Sequence, residues 1–241
     1  LWIVLMRIGF STGALALSDF QVGLAMNQAA GLNAVELSAL RETEVAGLLA
    51  AIDGMPPQRL DFVSFHAPSS LQRISDKELI QQLQPIFDRG WPVIVHPDII
   101  RDFDIWASLG SRILLENMDQ RKPIGRNARE LRQLFVRLPE AGLCFDIAHA
   151  RQVDPTMSIA VEILTEFSDR LAELHISEVD SGSRHVAISQ LAMKSYQRIS
   201  SLIPEHVPVI IESMICEADI PGEVEVVRAS LRRLVPSAVG T

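Results

Sequence analysis

Eight short, nearly uninterrupted apolar runs mark the chain, and a stretch with helical signals follows each of them. The runs are Ile3–Phe10, Ala34–Leu37, Leu60–Phe65, Pro92–Val95, Arg112–Leu115, Leu143–Phe145, Leu171–Leu174 and Val207–Ile211. None is longer than eight residues, and Gly, Pro or charge bounds each one. They do not alternate apolar with polar, so they read as strands covered on both faces, which is the state of strands in a parallel sheet.

The intervening segments carry helix punctuation. Ser18–Ala30 stops at Gly31, a C-terminal signal. Glu42–Asp53 has Val45, Leu48, Leu49 and Ile52 on one face. Ser75–Arg89 opens with Ser75 and Glu78 in capping-box spacing and stops at Gly90. Asn127–Leu138, Ser158–Asp169, Gln190–Leu202 and Gly222–Leu234 follow the same logic, and Ile99–Leu109 is the shortest. Eight strand–helix units of about 30 residues predict an α/β (βα)8 TIM barrel at the compact end of its range. No linker or change of composition divides the chain, so a single domain over residues 1–241 is expected. A doubly wound open sheet is the alternative. It is disfavoured because Gly9-Phe-Ser-Thr-Gly13, after the first run, lacks the spacing of a dinucleotide-binding loop.

Composition removes several classes. With 48% hydrophobic and 22% charged residues the chain is not a disordered or low-complexity one. No apolar run reaches the ~18 residues of a membrane span. The net charge of −8 and only three lysines give no general basic surface, so nucleic acid is not an expected partner. Cys144 and Cys216 form no disulfide framework, which points to a reduced, cytoplasmic protein. The apolar start lacks a basic segment before it and a cleavage site after it, so no signal peptide is expected. Leu1 and Met6 both stand as candidate starts, and a start at Met6 would put residues 1–5 upstream of the native chain.

Function is carried by what stands at the end of each run. In order these residues are Glu36, His66, His96, Glu116, Asp146 with His149, His175 and Glu212, with His185 in the loop after the seventh strand. A parallel barrel gathers all C-terminal strand ends at one mouth. Of the six histidines only His206 lies elsewhere. A lone His or Glu at a strand end is most simply a hydrogen-bonded or ion-paired structural residue. Nine such groups on one rim are costly unless a divalent metal ion compensates them. Cys144 is expected inside the barrel on the same side of its strand as Asp146, and Met26, Met118, Met193 and Met214 as packing residues.

The phrases Ser64-Phe-His-Ala-Pro68, Val95-His-Pro97, Leu115-Glu-Asn117, Asp146-Ile-Ala-His149, Leu174-His175 and Ile211-Glu212, in this order from about Met6 to Leu234, resemble the xylose-isomerase-like barrel superfamily. That superfamily includes sugar isomerases and epimerases as well as endonuclease IV. The resemblance implies a metal site of Glu116, Asp146, His175 and Glu212. In the epimerase type Glu116 and Glu212 also move protons at the carbon beside a metal-bound carbonyl, and His66, His149, Arg184 and Glu36 would hold the substrate. In the zinc phosphodiesterase (AP endonuclease) type, His66, His96, His149 and His185 would hold further ions. The ninth ligand of that type, an Asp two residues before the last His, is Ser183 here, and the Gly-Glu-Gly that follows that His is missing. The resemblance therefore favours a metal-dependent sugar or sugar-phosphate isomerase or epimerase. The alternatives are the phosphodiesterase and a non-catalytic binding barrel. Mixed carboxylate and imidazole ligands suit Mn, Zn, Fe or Co.

Overall fold

The structure is a computed structural model that describes residues 6–52 and 60–232. Eight parallel strands close into a barrel. They are β1 (Ile8–Ser11), β2 (Ala34–Ser38), β3 (Phe62–His66), β4 (Val93–Val95), β5 (Ile113–Glu116), β6 (Gly142–Asp146), β7 (Leu171–Ile176) and, after a small hairpin, β10 (Val209–Ile211). The hairpin strands β8 (Glu178–Val179) and β9 (His185–Val186) pair antiparallel above the end of β7. Barrel order is the chain order, with β1 closing against β10. Closure brings β1 and β2 very close. A Cβ at Gly9 would lie 1.7 Å from the Ala34 carbonyl oxygen, so only glycine fits there.

All eight expected strands are present, moved by one or two residues. The part of the first run that covers residues 3–5, the end of the second helix at residue 53, the end of the last helix at 233–234 and the reading of residues 1–5 lie outside the described residues. Several strands run one residue further than the apolar pattern and take in His66, Glu116 and Asp146. These side chains are therefore aimed by ladder pairing and not by loops.

The helices differ more. Ser18–Ala30 is preceded by a separate short helix, Thr12–Ala16, and begins only at Phe20, where the Asp19 carboxylate accepts from the Val22 amide. Leu17, at φ 52°, makes the break. Ser75–Arg89 opens with the expected capping box, but Leu83 and Pro85 divide it into Asp76–Gln82 and Gln84–Asp88. A helix at Ile147–Val153, absent from the sequence reading, follows β6 directly.

One large apolar layer fills the space between barrel and helices, with Trp106 wholly buried and its indole N–H donating to Asp76. A second, small apolar cluster of Ile94, Leu114 and Cys144 lies apart from that layer. Glu36, Ser64, Glu116, Glu173 and His175 are buried on the strands too, and burying such polar groups is expensive. Among the described residues no helix is long and apolar enough to cross a membrane.

Candidate metal centre

Each strand end delivers one side chain to the mouth. β5 brings Glu116 and then Asn117, whose amide locks the neighbouring strand by donating to the Asp146 carbonyl and accepting from the Asp146 N–H, both at 2.8 Å. Asp146 ends β6 and caps the next helix, its Oδ1 accepting from the His149 amide at 2.7 Å. The Asp-x-x-His spacing therefore has a local cause. The cap fixes one carboxylate oxygen and leaves Oδ2 pointing at the mouth without a hydrogen-bond partner.

Glu116, Asp146, His175 and Glu212 offer ligand atoms that all lie within 4.8 Å of one another. Asp146 Oδ2, His175 Nδ1 and Glu212 Oε2 have no hydrogen-bond partner although they are buried. His175 Nδ1 stands 3.6 Å from Glu116 Oε1 and 3.5 Å from Glu212 Oε2, too far for good hydrogen bonds. Buried polar atoms are seldom left unpaired, and these three converge; directly below them Glu36 Oε2, Glu173 Oε2 and His175 Nε2 also lack an aligned hydrogen bond. Three carboxylates and one imidazole with ligand atoms gathered within 4.8 Å fit a divalent cation.

Two further groups adjoin this one at the mouth, and a third, Glu36 and Glu173 with His175, lies below it. His66 Nε2 and His96 Nε2 lie 3.2 Å and 3.0 Å from the second oxygen of Glu116, so its carboxylate faces two clusters. Asp146, His149 and His185 form the other. His149 Nδ1 contacts the Asn117 carbonyl at 2.9 Å, which assigns the proton to Nδ1 and leaves Nε2 as donor atom. His185 Nδ1 is 2.8 Å from Ser177 Oγ.

The electrostatics show the same deficit of positive charge. Burial alone would lower the pKa of His66, but Glu36 and Glu116 outweigh it and push it up to about 9. His175 is raised well above its ordinary value, with the surrounding acidic groups overcoming burial. Burial pushes Asp146 up to about 6. Glu116 and Glu212 are held low, the histidines around them outweighing burial. His96 goes down, chiefly through burial. Protons on histidines supply the charge that a cation would otherwise supply.

Above the cluster opens a cavity of about 290 Å³, lined at its floor by His66, His96, Glu116, His149, His185 and Glu212. Two residues assigned to substrate from the sequence are not there. Glu36 is wholly buried beneath His175, because it stands mid-register in β2 and not beyond its end. Arg184 is 78% exposed and paired with Asp180 at 2.8 Å, because the hairpin turns it outward. Met214, expected to pack, is half exposed on the cavity wall. Three residues that the sequence reading passed over belong to the centre or its wall. Glu173 is fully buried two places before His175, where strand periodicity puts both on the inner face. Arg121 grips Asp119 and donates to the carbonyls of Gly182 and Ser183, tying the loop after β5 to the hairpin. Lys122 pairs with Asp98 at 2.7 Å.

No protein family and no curated protein matches the chain in sequence. Solved structures match it in fold. The crystal structure of the 3-keto-D-glucoside 4-epimerase YcjR from E. coli is similar at a TM-score of 0.63 and 14% identity, covering 94% of this chain and 99% of that one. An L-ribulose 3-epimerase is similar at 0.59 and 13%, covering 98% and 89%. A xylose isomerase-like TIM barrel protein from Mycobacterium smegmatis, in complex with magnesium, is similar at 0.59 and 12%, covering 94% and 98%. The chain has the xylose isomerase-like TIM-barrel fold.

Proposed function

We propose that the chain is a divalent-metal-dependent isomerase or epimerase that moves a proton at the carbon beside a carbonyl of a small sugar or sugar phosphate. The observation that carries this reading is the convergence of Glu116, Asp146, His175 and Glu212, three of them with unpartnered buried ligand atoms, on the floor of a cavity of small-molecule size. The ion, when bound, supplies a Lewis acid for the carbonyl and hydroxyl oxygens. Manganese, zinc, iron or cobalt suits the donor set.

Of the four side chains Glu212 is the most open, at 13% exposure against 2% for Glu116, and it takes the proton from carbon. Glu116 stands on β5, across the mouth. Its Oε2 touches two imidazole nitrogens and Glu116 itself is held ionised, so the proton returned to carbon comes from His66, which holds one up to about pH 9, relayed through that oxygen. His149 Nε2 would hold a substrate hydroxyl, whereas both nitrogens of His66 are engaged, with the Ala67 carbonyl and with Glu116 Oε2. Two of the solved neighbours are sugar epimerases by name, in keeping with this chemistry. Cytoplasmic placement and a carbohydrate partner belong to the same reading.

The test is Glu212→Gln, which keeps the shape and one oxygen but removes the base. Solvent-deuterium exchange into a panel of ketoses should fall by ~10²–10⁴ with much of the metal retained. His185→Ala should matter far less.

A second reading is a zinc-dependent phosphodiesterase of the endonuclease IV type. The His66–His96–Glu116 cluster, set against the other oxygen of Glu116, favours it. Against it stand Ser183 in place of an acidic ligand and a net charge of −8. Two or three ions per chain, with cleavage of an abasic-site duplex lost equally in both variants, would establish it over the first.

A further inference from the structure

Beneath the metal centre lies a second layer of charge that a barrel lumen ordinarily fills with Val, Ile or Leu. Glu36 from β2 and Glu173 from β7 are both fully buried. Glu36 Oε2 is 3.1 Å and Glu173 Oε1 3.4 Å from the same atom, His175 Nε2. Each carboxylate is held by a serine: Ser38 Oγ donates to Glu36 Oε1 at 2.9 Å, and Ser64 Oγ to Glu173 Oε1 at 2.8 Å. Ser38 is in turn fixed by Ser11 Oγ at 2.6 Å and by Thr12 Oγ1, which accepts from the Ser38 amide at 2.9 Å. Supports from β1, β2, β3 and β7 thus meet on one ring nitrogen. The other nitrogen of that ring, Nδ1, faces Glu116 and Glu212.

Two desolvated carboxylates side by side repel each other, and apolar replacements of such groups are often neutral or stabilising. Stability alone therefore does not explain them. A metal-ligating histidine, by contrast, gains from an anion on its far nitrogen, which fixes the tautomer and makes the near nitrogen a stronger donor.

We propose that Glu36 and Glu173 are positioning residues that together hold the proton of His175 on Nε2 and so present Nδ1 to the divalent ion; this rests on the metal-dependent reading above. Glu36, the nearer, carries the larger share. Neither touches substrate.

The test compares Glu36→Met, Glu173→Met and the two glutamine variants with the parent protein, using zinc as the probe. Zinc affinity is read by competition with a chelating dye, and stability of the metal-free protein by thermal unfolding. Glu36→Met should bind zinc ~10–100-fold more weakly, and Glu173→Met more weakly by a smaller factor. The glutamine variants, which keep an acceptor oxygen, should recover most of the loss. The metal-free melting temperature should hold or rise in the methionine variants, opposite in sign to a structural role. Nitrogen-15 spectra of the zinc-loaded parent give an answer that does not depend on the variants folding: His175 should show a protonated Nε2 and a metal-bound Nδ1. An unprotonated Nε2, or zinc binding within twofold of the parent in both methionine variants, overturns the proposal and leaves the metal-dependent reading standing. A parent that binds no zinc, manganese, iron or cobalt overturns both.

Discussion

In the metal-free protein His66 makes stability fall as pH rises from 6.5 to 9.5. Its Nε2 stands 3.2 Å from Glu116 Oε2. At an effective dielectric near 20 that attraction is about 5 kcal/mol. Burial opposes it, and the charge of Glu36, the largest raising influence, together with Glu116 and Glu212 holds the proton up to about pH 9 against an ordinary 6.5. The side chain is only 12% exposed, so solvent screening is small. At 1.36 kcal/mol per pH unit the interval corresponds to about 3 kcal/mol. Because the folded-state pKa is the higher one, this stabilisation is complete below pH 6.5 and is lost as pH rises through 9. His149 and His175 are raised as well and add to the same slope, so the informative quantity is the difference between the parent and His66→Gln. The charge on His66 also depresses His96, which recovers part of the proton in the variant and makes 3 kcal/mol an upper bound. For a chain of this size that is a melting-temperature difference of at most about 6–12 °C. The assay is thermal unfolding in chelator at pH 6.5, 7.5, 8.5 and 9.5, repeated with saturating zinc. Zinc should flatten the parent's slope, since the ion's charge replaces that of the protons. Equal slopes in parent and His66→Gln would refute the reasoning.

Asp146 ligates only when ionised, and burial sets its pKa at about 6, so metal affinity should drop roughly tenfold per pH unit below that point. Asp146→Asn should bind metal weakly and lose this acid limb in the same dye competition. Arg184→Ala should leave KM within about twofold and stability within ~0.5 kcal/mol, because the guanidinium is exposed and paired at the surface. Arg121→Ala should instead raise KM, since it frees the hairpin that carries His185 from the loop after β5.

The barrel and the rim of nine polar groups were legible because polar residues that end apolar runs stand out, and a parallel barrel has only one place to put them; the choice of Glu116, Asp146, His175 and Glu212 among them came from the family resemblance. Glu173 stands inside the run Leu171–Leu174 and was absorbed into it. Reading that strand in steps of two from His175 would have exposed it. Glu36 was visible, but whether a residue at the rim of β2 faces the cavity or the lumen depends on barrel stagger, and no single strand contains that information. Arg184 and Arg121 show the same limit. The contacts of Arg121 with Gly182 and Ser183 join loops some sixty residues apart, so nothing local distinguishes it from any surface arginine. The helix after β6 was missed because Asp146 and His149 were weighed only as ligands, although the same spacing is a cap.

Ser183 is where sequence and structure together make a prediction that neither makes alone. The residue lies on the cavity wall near His149 and His185, and its backbone is left-handed at φ 55°. Asp occupies that region more readily than Ser does, so Ser183→Asp carries no added backbone penalty. Its hydroxyl now accepts a hydrogen bond from Gln152 Nε2 at 2.7 Å, a donor that a carboxylate would also satisfy. The substitution adds an anionic ligand beside Asp146, His149 and His185, a group whose ligand atoms already lie within 4.8 Å of one another. We expect zinc per chain, measured by elemental analysis after equilibrium dialysis, to rise by about one ion, and dye competition to show a new site of its own affinity. If the parent turns over ketoses, that exchange should persist, since Glu212 and its neighbours are untouched. Unchanged zinc content in a folded Ser183→Asp protein would mean that the serine is not what limits that cluster, and the assignment of His149 and His185 to a further metal position would fall with it.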